Sequence, residues 1–379
     1  MKKQYALILL PLVVASLSSC DPNADPNYVA GEELKIISVE MNKEYGEAIL
    51  IKFGNYEILV DSGNNTDATH VKEVLTTYVT DKTIDLLVVT HPHGDHIGGI
   101  NNNCLNGFKV SKLVDFGYTY SPSGEGDSIS SSHLYNTYAS KRSALIADGT
   151  KYVAITDEIK NNPVITIDKE NDLSLTWLKN DYYFKPGTVF PNSEYTLVTN
   201  PNSTSVAFLL TYKYWNIPFL GDADSTFEEF SITNNHPNIL SQSWKKVLLK
   251  ATHHASSSSL GSNFLKWAHP NAVFVSAAML DSVAVPNEVG IGSKEGQQNH
   301  PNSSTVRRIK GALKEQNSTA FYWNGINGDL LMTTNGVDDF VFSGAGRHKD
   351  YYIKNTTDLA SKEDEKNVTF FESQFYKYY

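Results

Sequence analysis

Apolar residues in this chain fall into short runs divided by turn-forming residues, and the period of each run assigns an element. Residues 34–39, 48–53 and 56–60 read as three short strands, with Gly54-Asn55 as the turn between the last two. Residues 66–80 place Val71, Val74, Leu75 and Val79 at helical spacing. Residues 84–89 are almost continuously apolar, as expected of a strand buried on both faces. Residues 121–132, rich in Ser and Gly, read as a loop, and 134–147 as a helix. Residues 205–212 and 217–220 suggest a hairpin, followed by a helix from about Ser225. Pro218 has no N–H to give to a ladder, which predicts an edge or a bulge there. Residues 247–251 and 272–275 are further strands, and 305–315 is a helix. Residues 319–323 and 329–333 read as a second hairpin around Asn324-Gly325. Strands first, then helix alternating with strand, then the pattern repeated, predict an α/β fold of two mixed sheets with helices outside.

The N-terminus follows a different rule. Lys2 and Lys3 precede an apolar stretch, residues 5–17, broken only by Pro11 and Ser16. That stretch is shorter than the roughly 20 apolar residues a spanning helix needs, so it reads as an export signal. It ends Leu17-Ser18-Ser19-Cys20, which resembles a bacterial lipobox. The resemblance implies removal of residues 1–19, acylation of Cys20 and anchoring of an exported protein to the bacterial cell envelope. The polar residues after Cys20 then form a tether, 20–33. No later stretch is long and apolar enough to cross a bilayer. The remaining cysteine, Cys104, has no activating neighbours in sequence and reads as a small buried residue. With Cys20 lipidated there is no disulfide framework, so the fold must rest on its core. Against 42 acidic residues stand 32 basic ones, a formal charge of −10 that losing Lys2 and Lys3 would deepen. Such a balance gives no support to tight, nonspecific nucleic-acid binding.

The chemistry concentrates in Thr90-His91-Pro92-His93-Gly94-Asp95-His96-Ile97-Gly98-Gly99. Three histidines and an aspartate within six residues would arise by chance about once in 2,000 chains of this size and composition, so the run is not accidental. His91 and His93, two apart on extended chain, can point the same way. Asp95 and His96, where a turn opens a helix, can face a second point close by. Imidazole and carboxylate suit zinc first, and manganese or iron as well. Gly98 and Gly99 permit close backbone packing beneath. Elsewhere in the chain, Asp61 begins Asp-Ser-Gly after a strand, Asp222 closes another, and His253-His254 follow a third. His70, His133, His236, His269 and His348 stand alone in sequence and read as surface or structural.

H-x-H-x-D-H after a strand resembles the signature of the metallo-β-lactamase fold superfamily. Within it the chain is similar to the hydrolase domains of competence-channel (ComEC-type) proteins and to phosphorylcholine esterases, over about Lys35 to Asn335. The resemblance implies an αββα sandwich with metals at one edge, here a hydrolase domain over 34–348 followed by a C-terminal appendage or tail, 349–379. It implies two divalent ions, zinc foremost, held by His91, His93, Asp95, His96, Asp222 and His254, with Asp222 bridging. Asp61 matches the aspartate that orients the metal-binding loop. Thr252-His253-His254-Ala255-Ser256 resembles a His-His-Gly-Ser motif with Ala255 for glycine; His254 is the favoured ligand and His253 its substrate-side partner. Asn299-His300-Pro301 matches a late Gly-His-Pro segment, giving His300 contact with substrate or leaving group. The catalytic set is then Asp61, Asp95, His253 and His300.

Two departures stand out. The interval that often supplies a further ligand holds only His133, and Asn202-Ser203-Thr204-Ser205 resembles a competence-type Asn-x-x-Ser instead. The Gly-Gln-Gly-Asp opening of that branch is replaced by Glu44-Tyr45-Gly46-Glu47. The expected activity is an extracytoplasmic phosphodiesterase in which the ions activate water for attack on phosphorus. Nucleic acid, a phosphocholine-type ester or a lipid headgroup would be the substrate, with the membrane as partner through Cys20. Hydrolysis of a lactam, lactone or thioester is the alternative within the fold. A lipoprotein that binds without turnover is the alternative outside catalysis.

Overall fold

The computed structural model describes residues 32–41, 45–118, 129–180, 201–240, 244–279, 300–348, 351–352, 359–361 and 365–379. The leader, Cys20, the tether up to residue 31 and Asn299 lie outside the described residues.

The first sheet opens with β1 (Leu34–Ser38), β2 (Ile49–Phe53), β3 (Tyr56–Val60), β4 (Thr83–Val89), β5 (Lys109–Asp115) and β6 (Lys151–Ala154). The second holds β7 (Val164–Asp168), β8 (Leu173–Trp177), β9 (Phe208–Tyr212), β10 (Trp215–Phe219), β11 (Lys246–Lys250), β12 (Ala272–Val275) and β13 (Phe321–Trp323). The chain then returns to the first sheet with β14 (Leu330–Thr334) and β15 (Val341–Gly344). The orders are β15-β14-β1-β2-β3-β4-β5-β6 and β13-β12-β11-β10-β9-β8-β7. Both sheets are mixed: β3, β4, β5 and β6 run parallel beside antiparallel β1–β2–β3, and β10 to β13 run parallel beside antiparallel β7–β8–β9.

Strand periodicity explains the layering. Along β11, Leu248 packs into the core shared by both sheets, while Val247 and Leu249 turn to the outer core. Along β12, Phe274 joins the shared core, and Val273 and Val275 join the outer one. In that outer core lie Phe264 and Leu265 of the helix Ser262–Ala268 and Val306, Ile309 and Leu313 of the helix Ser303–Glu315. The second sheet is thus buried on both faces, which is why its strands read as continuous apolar runs. On the first sheet, Val71, Val74 and Leu75 of the helix Ala68–Tyr78 close the core at helical spacing. The result is an αββα sandwich.

Three expectations need correction. Asn324-Gly325 is not a hairpin turn: β13 pairs in parallel with β12, β14 pairs with β1, and the helical turn Asn324–Asn327 carries the chain between sheets. The Asn324 side chain ties that crossing to both sheets. Its Nδ2 donates to Val39 O at 2.7 Å, and its Oδ1 accepts from Ala277 N at 3.0 Å. Secondly, Pro218 sits in an interior strand. The β10–β11 ladder is confined to Trp215 and Asn216, so the absent N–H at Pro218 falls beyond it, while Pro218 still faces Leu209 of β9. Thirdly, the helix Ile129–Ala147 starts inside the stretch expected to be loop; residues 119–128 lie outside the described residues.

Cys104 is a buried free thiol, pushed up to about 12 by burial. Residues 365–379 dock on the outer core through buried Phe370 and Phe375, and Phe370 N donates to Phe321 O at 2.6 Å. Among the described residues no helix is long and apolar enough to cross a membrane. Replacing Asn324 with Leu strands the Ala277 N–H and Val39 C=O, and should lower unfolding free energy by about 2–3 kcal/mol in urea titrations.

Candidate metal centre

The site forms where strands of both sheets end. Asp61, just past β3, has a left-handed backbone (φ 56°) and accepts from Thr90 N at 2.8 Å and Thr90 Oγ1 at 2.6 Å. The same carboxylate holds His96 Nδ1 at 2.7 Å. With its only proton given to Asp61, the Thr90 hydroxyl accepts from His91 Nδ1 at 3.0 Å. His254 Nδ1 lies 2.8 Å from Ser276 O, a carbonyl that can only accept. Each ring therefore carries its proton at Nδ1 and turns Nε2 inward, the arrangement a metal-binding imidazole needs. The helix Gly94–Asn101 can sit this close to the Asp61-Ser62-Gly63 turn only because of its glycines. A Cβ on Gly98 would lie 2.4 Å from Asn65 N, and one on Gly99 2.0 Å from Ser62 O.

Asp95, His96, Asp222 and His254 converge, with one ligand atom from each within 4.8 Å of all the others. His96 Nε2 and His254 Nε2 each lie 3.2 Å from Asp222 Oδ2, and they lie 3.5 and 3.3 Å from Asp95 Oδ2. Two ligand atoms bound tetrahedrally to one zinc at about 2.0–2.1 Å are roughly 3.3 Å apart, so this spacing fits one ion. His96 Nε2, His254 Nε2 and Asp222 Oδ1 are buried without a hydrogen bond among the described residues. The two imidazole nitrogens converge on Asp222 Oδ2 and Asp95 Oδ2. Beside them, His91 Nε2 is 3.0 Å from His93 Nδ1 and 3.9 Å from Asp222 Oδ2, a second donor group that shares Asp222.

Charge favours a cation there. Burial opposes ionisation of Asp95 and Asp222, yet the neighbouring imidazoles hold both carboxyls well below the usual range. Burial likewise pulls His254 down, but Asp222 and then Asp95 overcome it and hold it at about 9. His96 is pushed well above its ordinary value against burial, chiefly by Asp222 and Asp95. The carboxylates thus draw protons onto Nε2 atoms that a divalent ion would occupy instead. His91 is driven well below its ordinary value by burial and by His96 and His93, which keeps its lone pair available.

His253 stands to one side, with Nε2 4.0 Å from Asp222 Oδ2 and 3.2 Å from Asn202 Nδ2. Burial lowers it to about 4. His300 stacks 6.1 Å from His254 and 5.5 Å from His253, and Tyr45 covers both His254 and His300 at 5.7 and 5.1 Å. Burial, then the charge of His254 and His253, lowers His300 to about 3. His133 is exposed on its helix and does not join the site. His70 and His348 are not isolated: their rings meet edge to face at 4.2 Å, paired with Asp329 and Glu40.

Three residues near the site escaped the sequence reading: Ser276, Glu228 and Lys250. Lys250 left a faint signal, being a lysine at the end of an apolar run that leads straight to His253-His254. Glu228 left none. It is fully buried and accepts from Thr252 Oγ1, from Leu260 N at 3.1 Å and from Gly261 N at 3.2 Å. It thereby holds the loop in which His253, His254 and Ala255 all adopt left-handed φ of 45°, 50° and 58°.

The fold and the convergent His/Asp cluster define a two-sheet α/β protein with a candidate metal-binding site between its sheets. Residues 42–168, about a third of the chain, match the family model of the metallo-beta-lactamase superfamily. The match spans Asp61 and His91 to His96 and ends before β10, which leads to Asp222. No curated protein matches the chain significantly. Solved structures similar to it include the metallo-beta-lactamase fold protein YhfI from Bacillus subtilis, at 12% identity over 80% of this chain and 100% of that one, TM-score 0.40. A diphosphatase of the PhnP family aligns at 11% identity over 63% of this chain and 85% of that one, TM-score 0.34. Human tRNase Z, short form, aligns at 12% identity over 76% and 93% respectively, TM-score 0.35.

Asp61→Asn removes the charge that orients His96 and should weaken zinc binding about 10–100-fold in chelator competition. Burial holds Glu228 at about 7 against an ordinary 4.5. The folded state therefore binds its proton more tightly, and the associated stability is present below 4.5 and lost as pH rises to about 7. The loss is on the order of 3 kcal/mol. Thermal melts of Glu228→Gln should be flatter across that window than those of the parent.

Proposed function

We propose that this protein is a metal-dependent, extracytoplasmic phosphodiesterase, anchored to the bacterial cell envelope by lipid on Cys20. The carrying observation is Asp222, whose Oδ2 lies 3.2 Å from both His96 and His254 and 3.9 Å from His91, between two groups of donors. His96, His254 and Asp95 fit one divalent ion, and His91 and His93 fit a second, with Asp222 shared. Two zinc ions there would activate water and neutralise charge on a phosphoryl group. Asp61 sets the His96 ring, Ser276 sets the His254 ring, and burial keeps water from competing at both. His253 and His300, held as neutral imidazoles, line the phosphoryl side of the site and do not act as imidazolium acids. That arrangement favours phosphorus over a planar carbonyl, which offers one oxygen to hold rather than two. The export signal and Leu17-Ser18-Ser19-Cys20 support the location.

The test uses the soluble chain beginning after Cys20. It should copurify with zinc and hydrolyse bis(p-nitrophenyl) phosphate in a chelator-sensitive way. Asp222→Ala and His96→Ala should each lower turnover on the order of 10²–10³-fold or more. Unchanged turnover in either variant sinks the mechanism. Bound metal with activity on nitrocefin alone would establish the carbonyl-hydrolase alternative. Absence of both metal and turnover would mean a binding protein.

A further inference from the structure

A cross-sheet ion pair lies beneath the candidate metal centre, and the chemistry described so far does not use it. Glu47, just before β2 in the first sheet, and Lys250, the last residue of β11 in the second, are both 0% exposed and in direct contact. We propose that Glu47 and Lys250 are positioning residues, a strut that fixes the separation between the ligands of the first sheet and those of the second.

The connections run to the ligands of both sheets, Asp95 and His96 on one side and Asp222 and His254 on the other. Glu47 N donates to Asp95 O at 3.1 Å, and Glu47 O accepts from Gly63 N at 2.7 Å. Gly63 O in turn accepts from Gly99 N at 3.0 Å, so the Glu47 peptide is bonded to both ends of the helix turn that carries Asp95 and His96. Across the gap, Lys250 Nζ donates to Gly221 O at 3.0 Å, one residue before Asp222. The same carbonyl accepts from His253 N at 3.2 Å. A single side-chain contact therefore links the Asp95–His96 loop to both the Asp222 loop and the His253-His254 loop. Gly221 is held hard in place, at φ +53° with a hypothetical Cβ 2.9 Å from Ser205 and 3.0 Å from Thr90. Movement of Lys250 would accordingly carry Asp222 with it.

Stability alone does not account for the pair. A buried ion pair roughly breaks even with well-packed apolar residues, whereas its directionality fixes a distance. Charge is consistent with the same role. Burial raises the Glu47 carboxyl above its ordinary range, and the contact with Lys250 opposes that rise.

This inference rests on the metal-centre reading of the site and not on the phosphodiester reading. The test measures zinc affinity by chelator competition, together with thermal stability, for wild type, Glu47→Gln, Lys250→Met and the double variant. Lys112→Met alone, which breaks a mostly buried ion pair between β5 and Glu158 of the helix Ile155–Asn161, is the control. Each single variant should lose stability and bind zinc about 10–100-fold more weakly. The double variant, with no uncompensated charge, should regain stability while its zinc affinity stays low. The control should lose stability alone. If zinc affinity recovers with stability in the double variant, or never changes, the strut is only structural and the proposal fails. Should wild type itself bind no zinc, the metal-centre reading falls too, a result distinct from wild-type affinity retained by every variant.

Discussion

Two carboxylates from opposite sheets, partly buried Asp95 and buried Asp222, share one small volume with His96 and His254, and much of this edge of the sandwich is arranged to tolerate that. Like charges buried a few ångströms apart repel strongly unless a cation or protons sit between them. Protonated imidazoles answer the demand in the metal-free geometry, with His254 held at about 9. The donor spacing of 3.2–3.5 Å suits one tetrahedral ion doing the same work better. Because the groups come from different sheets, their spacing is set by how the two layers are held apart at this edge. The Asn324 crossing, the Ser276 hydroxyl on Gly46 O at 2.8 Å and the Glu47–Lys250 contact all bear on that separation.

Local strain is concentrated at the same edge. Asp61, His253, His254 and Ala255 all carry positive φ, and each lies in a loop that delivers or orients a candidate ligand. Such conformations cost about 1–2 kcal/mol each for L-residues and persist only where surrounding bonds over-determine them. Here those bonds are visible: Thr90 on Asp61, Glu228 on Thr252 and the following loop, and Ser276 on His254. Ala255 at φ 58° also shows why glycine suits that place in the His-His-Gly-Ser motif it resembles.

Much of this was legible in the sequence, unevenly so. Residues 84–89 and 247–251 announced strands buried on both faces, since a strand with cover on each side has no polar periodicity. The first cluster was legible because His91, His93, Asp95 and His96 are neighbours in the chain, so local geometry alone brings them together. Asn324-Gly325 misled for the converse reason. It is a strong local turn signal, but whether β14 pairs with β13 or with β1, as Leu34 opposite Thr334 shows, depends on residues some three hundred positions away. Pro218 misled similarly, because where a ladder stops is decided by the neighbouring strand.

By itself, then, the sequence determined the two-sheet α/β architecture, the candidate ligand cluster of residues 91–96 and the polar strand ends at Asp61, Asp222 and His253-His254, because each is written in a local pattern of period or residue type. Tertiary structure alone decided that His254 faces Asp95 while His253 faces Asn202, that His70 meets His348, and that Lys250 lies buried against Glu47. Those outcomes depend on ring orientation and on contacts between distant segments. A left-handed turn or a one-residue change of register reverses them while leaving the hydrophobic pattern almost untouched.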